Sequence, residues 1–379
     1  MDQVKKIAYF IGTLKKRDDG VARVLLKLID EGRAKGIESV IVTGWAEDKN
    51  NVPVPVYEVP SVVFPLYREY RFPLPGVKRF YPKLDAFRPD IIHVHSPDTI
   101  AWTGLRYARS RHIPIIATHH TDFARYLKYY HLSAFSQFLW FLLRRLYNKL
   151  DFVTTPSSVT THDLLSHGVE RVETIPWGTE LERFDPSFRS DKWRKAVLKK
   201  NQNYVVLFVG RLTWEKDLKT LAETYALLRE KRDDFAMVIA GRGPDEEDLK
   251  KLMPDAVFLG YKEGREFSEC YASSDVFLFP SSTETFGNVT IEAMASGLVP
   301  VVANEGGSQS LVKEGTTGFL CTPRDPQNFF EKTNRLLDDE KLREKMRARC
   351  LSFAQDFSWS AVFQKMYEIY KTLITKNRQ

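Results

Sequence analysis

Short apolar runs alternate with amphipathic stretches along nearly the whole chain, a rhythm that predicts βα units and a parallel sheet. In the first half the candidate strands are KIAYFIG, ESVIVTG, DIIHVHS, IPIIATHH, DFVTTPS and RVETIPW. Between the first two, Val21, Val24, Leu25 and Leu28 recur at helical spacing and predict a helix from Gly20 to Lys35. The stretch FDPSFRSDKWRKAVLKKNQN, with Pro186 and many polar residues, interrupts this rhythm. The pattern then restarts with NYVVLFVG, FAMVIAG, AVFLG, DVFLFPS and LVPVVAN, a second doubly wound series. From about Pro326 the periodicity is helical only. The expected organisation is an α/β domain over 1–184, a linker over 185–203, a second α/β domain over 204–355, and a helix over 356–379 packing back on the first domain. Two such domains in tandem imply a cleft.

Composition narrows this picture. A chain of 379 residues exceeds what one core usually serves, and 43% hydrophobic with 28% charged residues is ordinary for a soluble protein. The three cysteines, Cys270, Cys321 and Cys350, have neither CxxC spacing nor an even count, which argues against a disulfide framework or zinc site and fits a reducing cytoplasm. The N-terminus has too short an apolar stretch for a secretory signal, so the mature protein is expected to begin near Met1. Phe138 to Leu143 is the longest strongly apolar stretch, far short of the roughly 18 residues of a membrane span.

The net charge of +7 is concentrated locally: residues 101–150 hold eight Lys/Arg against one Asp. Basic residues mixed with Phe, Trp, Tyr and Leu suit an enzyme resting on an anionic membrane surface. A buried helix flanked by solvated charge fits the same pattern. No nucleic-acid motif accompanies the charge, so nucleic acid is not an expected partner.

The densest chemistry lies in DVFLFPSSTETFGNVTIEAMASGLVPVVAN, where a buried strand leads through a Ser/Thr-rich loop into a helix predicted over Phe286 to Gly297. The backbone N–H groups of Thr285, Phe286, Gly287 and Asn288 at such a helix start form a phosphate site, and Gly287 permits close approach. Glu284 and Glu292 flank it, eight positions apart, too far for a tight acid–base pair. Carboxylates so placed can accept hydrogen bonds from sugar hydroxyls. A helix cap and a solvated helix residue are the simpler alternative.

The array ETFGNVTIEAMASGLVPV resembles the Glu-x7-Glu signature of the retaining glycosyltransferases of family four, in residue types, spacing and strand-loop-helix context over about thirty residues. The resemblance implies the GT-B fold, two facing Rossmann-like domains with a nucleotide-sugar bound by the second. It places Glu284 at the transferred sugar and Glu292 at the ribose. In VGRLTWEK it assigns Gly210, Arg211 and Lys216 to the diphosphate side of the donor. Gly241 and Gly243 of AGRGP match a glycine turn of the family, with Arg242 where an Asp often stands. Gly260 and Tyr261 would lie near the base, with Tyr261 stacking on it. In ATHHTDF the family's cleft histidine falls on His120, with His119 as the competing assignment, and Gly20 matches the glycine that opens the first helix near the donor phosphate.

His93 and His95 in HVHSPDT share a strand face but have no carboxylate or cysteine partner in view, and the chain has no Asp-x-Asp pair. No metal and no cofactor are expected. The resemblance implies retention of anomeric configuration, with the leaving phosphate acting as base and Arg211, Lys216 and the helix start stabilising developing charge. The aromatic and basic stretches YLKYYHLSAFSQFLWFLLRRLYNK and FPLYREYRFPLPGVKRFYPK point to a lipid acceptor at the inner face of the cell membrane. GVARVL, THHTDFARYLKYY and GNVTIEAMASG resemble the branch of sulfolipid synthases, glycosyl-diacylglycerol synthases and phosphatidylinositol mannosyltransferases. A polysaccharide or soluble acceptor, a nucleotide-sugar 2-epimerase and a regulatory nucleotide-binding module are the competing readings.

Overall fold

The computed structural model describes residues 3–15, 20–64, 67–74, 78–120 and 133–378. The segment TDFARYLKYYHL, residues 121–132, lies outside the described residues, as do 65–66 and 75–77 of the other aromatic and basic stretch. The chain forms two compact units, Met1–Gly178 with Trp359–Gln379, and Thr179–Ser358.

The first unit is built on β1 (Lys6–Leu14), α1 (Gly20–Ala34), β2 (Glu38–Ala46), β3 (Val56–Glu58), β4 (Ser61–Phe64), β5 (Tyr67–Pro73), α2 (Tyr81–Phe87), β6 (Ile91–Val94), α3 (Thr99–Arg111), β7 (Ile115–Thr118), α4 (Ser133–Tyr147), β8 (Phe152–Thr155), α5 (Ser158–Ser166) and β9 (Val172–Thr174). Seven of the strands make a parallel sheet in the order β3-β2-β1-β6-β7-β8-β9. Ile7 through Ile11 are all buried, as a central strand covered by helices on both faces requires. The pair β4 and β5 is a separate antiparallel hairpin. Neither β3 nor this hairpin is among the candidate strands: β3 is only VYE, and the apolar Val62 and Val63 of β4 are exposed instead of joining the core.

The second unit begins with α6 (Asp191–Val197) and continues through β10 (Tyr204–Val209), α7 (Leu218–Lys231), β11 (Phe235–Ala240), α8 (Glu246–Leu252), β12 (Val257–Gly260), α9 (Gly264–Ala272), β13 (Val276–Phe279), α10 (Asn288–Ala295), β14 (Val299–Ala303), β15 (Phe319–Cys321), α11 (Pro326–Asp338) and α12 (Glu340–Ala354). Its six strands are parallel in the order β12-β11-β10-β13-β14-β15. Residues 185–203, expected as a linker, belong to this unit instead. Ser190 caps α6 by accepting from the Trp193 amide. Arg194 then donates to Asp275 Oδ2 at 2.9 Å, and the same oxygen accepts from the Val205 amide at 2.8 Å. A guanidinium tied to the sheet in this way makes the polar stretch part of the domain.

The last helix, α13 (Trp359–Arg378), returns to the first unit. Its buried face is Val362, Phe363, Met366, Tyr370 and Ile374. Phe363 lies where a side chain on Gly32 of α1 would point, and the Asn377 amide donates to the His112 carbonyl at 2.7 Å. All three cysteines are buried and free, and burial pushes the Cys270 and Cys321 thiols up to about 12. Among the described residues no helix is long and apolar enough to cross a membrane.

Candidate active site

In the second sheet the strand order reverses between β10 and β13, and chains leaving these neighbours turn away from each other. A crevice at the carboxyl ends of such strands is where doubly wound domains take ligands. The loop after β10 carries Gly210, Arg211 and a short turn, Trp214–Lys216. The loop after β13 carries Ser281 to Gly287. They meet through Lys216 Nζ and Glu284 Oε1, 2.6 Å apart, with both side chains largely covered. Ser281 Oγ also donates to Glu284 Oε1, at 3.3 Å. Two residues 68 positions apart in sequence therefore form one polar cluster at the switch point, with Arg211 exposed nearby in the chain.

Glycines in these loops are dictated by close backbone approach. Gly241 has φ +148°, and a Cβ on it would lie 1.9 Å from the Gly210 carbonyl oxygen. A Cβ on Gly243 would lie 2.1 Å from the Leu212 carbonyl oxygen. The loops after β10 and β11 are thus laid against each other, held by Leu212 N–H donating to the Arg242 carbonyl at 3.0 Å. Packing of loop on loop accounts for both glycines.

The helix start differs from the expected one. α10 opens at Asn288, two residues later than Phe286, because Gly287 at its N-cap adopts φ +99° and ψ 54°, outside the right-handed region. The Phe286 side chain is buried against Phe357, so only its backbone can face a ligand. The loop after β14 clamps this turn: Gly307 N–H donates to the Glu284 carbonyl at 2.6 Å. A Cβ on Gly307 would fall 2.3 Å from the Phe286 nitrogen, and one on Gly287 would fall 2.4 Å from Ser308 Oγ. Gly306, Gly307 and Ser308 were not among the expected site residues; the Gly-Gly pair following a predicted strand was the available signal.

Glu292, on α10, accepts from the Tyr271 hydroxyl of α9 at 3.0 Å. Burial, and then the Glu292 carboxylate, hold that hydroxyl well above the usual tyrosine range. The carboxylate is therefore oriented by a buried donor. Tyr261, just past β12, is exposed and donates to Glu263 Oε1 at 2.7 Å.

The first unit gathers the histidines at its own order reversal, between β1 and β6. His120 Nε2 lies 2.7 Å from His95 Nδ1, with Trp177 beside its ring at 5.5 Å. His119 takes a different partner, the Tyr147 hydroxyl of α4, 2.9 Å from its Nδ1. His93 is held at both ring nitrogens, by the Tyr370 hydroxyl and Thr118 Oγ1, each at 2.7 Å. His93, His95 and His120 are fully enclosed, and burial holds each imidazole well below its usual pKa. Gly20 is the first residue of α1, with open space where a side chain would stand. Among the described residues no group of three or more His, Cys, Asp or Glu is arranged to hold a metal ion.

Comparison with known proteins joins these two units to one enzyme class. The family described as Glycosyltransferase Family 4 matches residues 19–183, and that described as Glycosyl transferases group 1 matches 189–350. The chain is 33% identical to a GDP-mannose-dependent alpha-mannosyltransferase of Mycolicibacterium smegmatis, over 80% of each chain. The chain is a family 4 glycosyltransferase. This glycosyltransferase is also 34% identical to sulfoquinovosyl transferase SQD2 of Arabidopsis thaliana, over 80% of this chain and 60% of that one. It is 27% identical to an alpha-monoglucosyldiacylglycerol synthase of Streptococcus pneumoniae, over 79% of this chain and 71% of that one. In fold it is similar to Anabaena HepE, solved in complex with UDP, with TM-score 0.78, 19% identity, and 97% and 100% of the two chains covered. The GT-B fold of two Rossmann-like domains follows.

The glycosyltransferase carries an amphipathic surface on α4. Leu143, Leu146 and Tyr147 are buried in the first unit, whereas Phe138, Phe141 and Leu142 are exposed, the first by 61%. Arg144 and Arg145 are exposed beside them. Trp140 stacks on His167 with ring centroids 3.8 Å apart. Burial of one face and exposure of an apolar and basic face coexist on this one helix.

Proposed function

We propose that this glycosyltransferase moves a hexose-type sugar from a UDP- or GDP-linked donor to a membrane lipid or glycolipid, with retention of configuration and without a metal. The observation that carries the donor half of the reading is the meeting of Lys216 and Glu284 at the switch point, joining the two loops that also carry Arg211 and the Gly287 turn. Lys216 and Arg211 supply fixed positive charge for the diphosphate, and the start of α10 adds backbone N–H groups and the positive end of a helix dipole. Glu284 accepts from hydroxyls of the transferred sugar, and Glu292, oriented by Tyr271, accepts from the ribose. Tyr261, exposed at the end of β12, stacks on the base.

In this reading the bond from the anomeric carbon to the phosphate oxygen breaks first, and its electron pair leaves with the diphosphate. Arg211, Lys216 and the α10 amides stabilise that charge, the largest contribution the protein makes to the rate. The departing phosphate oxygen takes the proton from the acceptor hydroxyl as that oxygen bonds to the same face of the sugar.

The acceptor half rests on α4. Its exposed Phe138, Phe141 and Leu142 beside Arg144 and Arg145 have the composition of a helix lying in the interface of an anionic leaflet. The relative named alpha-monoglucosyldiacylglycerol synthase supports a lipid acceptor. The enzyme is then peripheral on the cytoplasmic side of the membrane.

Replacing Glu284 by Ala tests the donor site. Turnover is expected to fall by at least about a hundredfold while nucleoside diphosphate still binds, as measured by calorimetry. Near-normal turnover would remove Glu284 from the reaction.

A further inference from the structure

Around Tyr261 the second unit presents two opposite charges. Arg242 lies two residues past β11 and Tyr261 directly follows β12, so both stand at the end of the sheet that carries Lys216 and Glu284. Neighbouring strands lie about 4.8 Å apart, which puts the end of β12 about 10 Å from that of β10. A nucleotide whose diphosphate lies at β10 and β13 brings its base toward that end. The Arg242 guanidinium rests on Gly260, where a Cβ would lie 3.3 Å from its Nε. The Gly260 carbonyl accepts from the Gly241 amide at 2.9 Å, which holds the two loops against each other. The Tyr261 ring is 61% exposed, and its hydroxyl donates to Glu263 Oε1 at 2.7 Å. Arg242 therefore stands by the backbone end of this ring and Glu263 at its hydroxyl end.

Both charges are open to a ligand. Arg242 and Glu263 are exposed, and among the described residues neither forms an ion pair. Glu263 is the N-cap of α9 without making a capping hydrogen bond, and the neighbouring Lys262 is held by Glu266 at 2.9 Å. Guanine matches such an arrangement on two edges. Its O6 and N7 are adjacent acceptors, which a guanidinium meets with two N–H groups. Its N1–H and N2 amino group are adjacent donors, which a carboxylate meets with two oxygens. Uracil matches it poorly, because its single N–H lies between two carbonyl oxygens that an approaching carboxylate must also face.

We propose that Arg242 and Glu263 select guanine as the base of the donor: Arg242 donates to O6 and N7, Glu263 accepts from N1–H and the N2 amino group, and the base stacks on Tyr261 between them. This rests on the reading of the second unit as the donor site and narrows the donor to GDP-linked sugars. Every contact is a hydrogen bond or a stacking contact, and no bond is made or broken. Polar groups built for one base turn another away by being left against the wrong partner.

The test is calorimetry on the full chain with GDP, UDP and inosine diphosphate, whose base keeps O6 and N7 but has no N2 amino group. GDP is expected to bind at least about tenfold tighter than UDP. Arg242→Ala is expected to weaken GDP by about tenfold to a hundredfold, the scale of one bidentate contact to a base, while UDP changes little. Inosine diphosphate should bind the wild type more weakly than GDP, and Glu263→Ala should bring the two to equal affinity. UDP binding as tightly as GDP in the wild type, or a GDP preference that survives both substitutions, would overturn the proposal. Lys216→Ala should weaken GDP and UDP alike, since it meets the diphosphate and not the base. Should the wild type bind neither nucleotide, or Lys216→Ala leave both unchanged, the donor-site reading itself would fall, which keeps the two failures apart. Arg242 and Glu263 are exposed, so melting should be preserved in both variants, and the three nucleotides on the wild type decide without them.

Discussion

Lys216 and Glu284 are assigned to different parts of one sugar nucleotide, yet they contact each other at 2.6 Å. The pair is consistent with a site whose charges are already placed, so that little reorganisation accompanies reaction. The histidines bear on stability as well. His93, His95 and His120 are held neutral by burial, with pKa values below those of the unfolded chain. As pH falls through about 6.5 the unfolded state takes up protons that the folded state refuses, so stability present above that pH is lost below it. Each such histidine contributes a slope approaching about 1.4 kcal/mol per pH unit. Denaturant unfolding at pH 7.5 and 5.5 should show a clear loss at the lower pH, before carboxylates titrate; equal stability would contradict neutral burial. At this scale the sequence was legible where chemistry is local. Glu284, Gly287 and Glu292 sit in one short array, whereas the His95–His120 bridge spans 25 positions and depends on how β6 and β7 lie side by side.

Elements were legible in proportion to their apolar continuity. The runs of β1, β10 and β11 announce buried central strands, but β4 is a short run whose Val62 and Val63 are exposed and β5 mixes aromatic with basic residues, and they fold as a separate antiparallel hairpin. The start of α10 was misplaced because helical periodicity says nothing of a left-handed Gly287. That glycine makes a prediction. Gly287→Ala puts a side chain at φ +99° against Ser308, so it should cost about 1–3 kcal/mol of stability and weaken nucleoside diphosphate binding; unchanged melting and affinity would show the turn can relax. Helix α4 makes another. Phe138→Ser with Phe141→Ser removes exposed apolar area without touching Leu143, Leu146 or Tyr147 beneath. Sedimentation with anionic vesicles should fall several-fold while melting is preserved, and binding should weaken with salt. Undiminished binding would move the membrane contact elsewhere.

At the scale of the whole molecule, each unit is a doubly wound parallel sheet, and each gathers its polar residues where the strand order reverses. The Lys216–Glu284 cluster lies in one unit and the His95–His120 pair in the other. The repeated βα rhythm made both sheets readable, while the place of 185–203 was hidden because Arg194 looks like any surface charge until Asp275 is opposite it. The most direct measurement of the account is a transfer assay with UDP- and GDP-hexoses, lipid vesicles and a strong chelator. Nucleoside diphosphate should appear one-for-one with a glycolipid that keeps the donor's anomeric configuration, and only when the lipid is present. Epimerised donor without glycolipid, an inverted product, or a loss of activity restored by magnesium would contradict it.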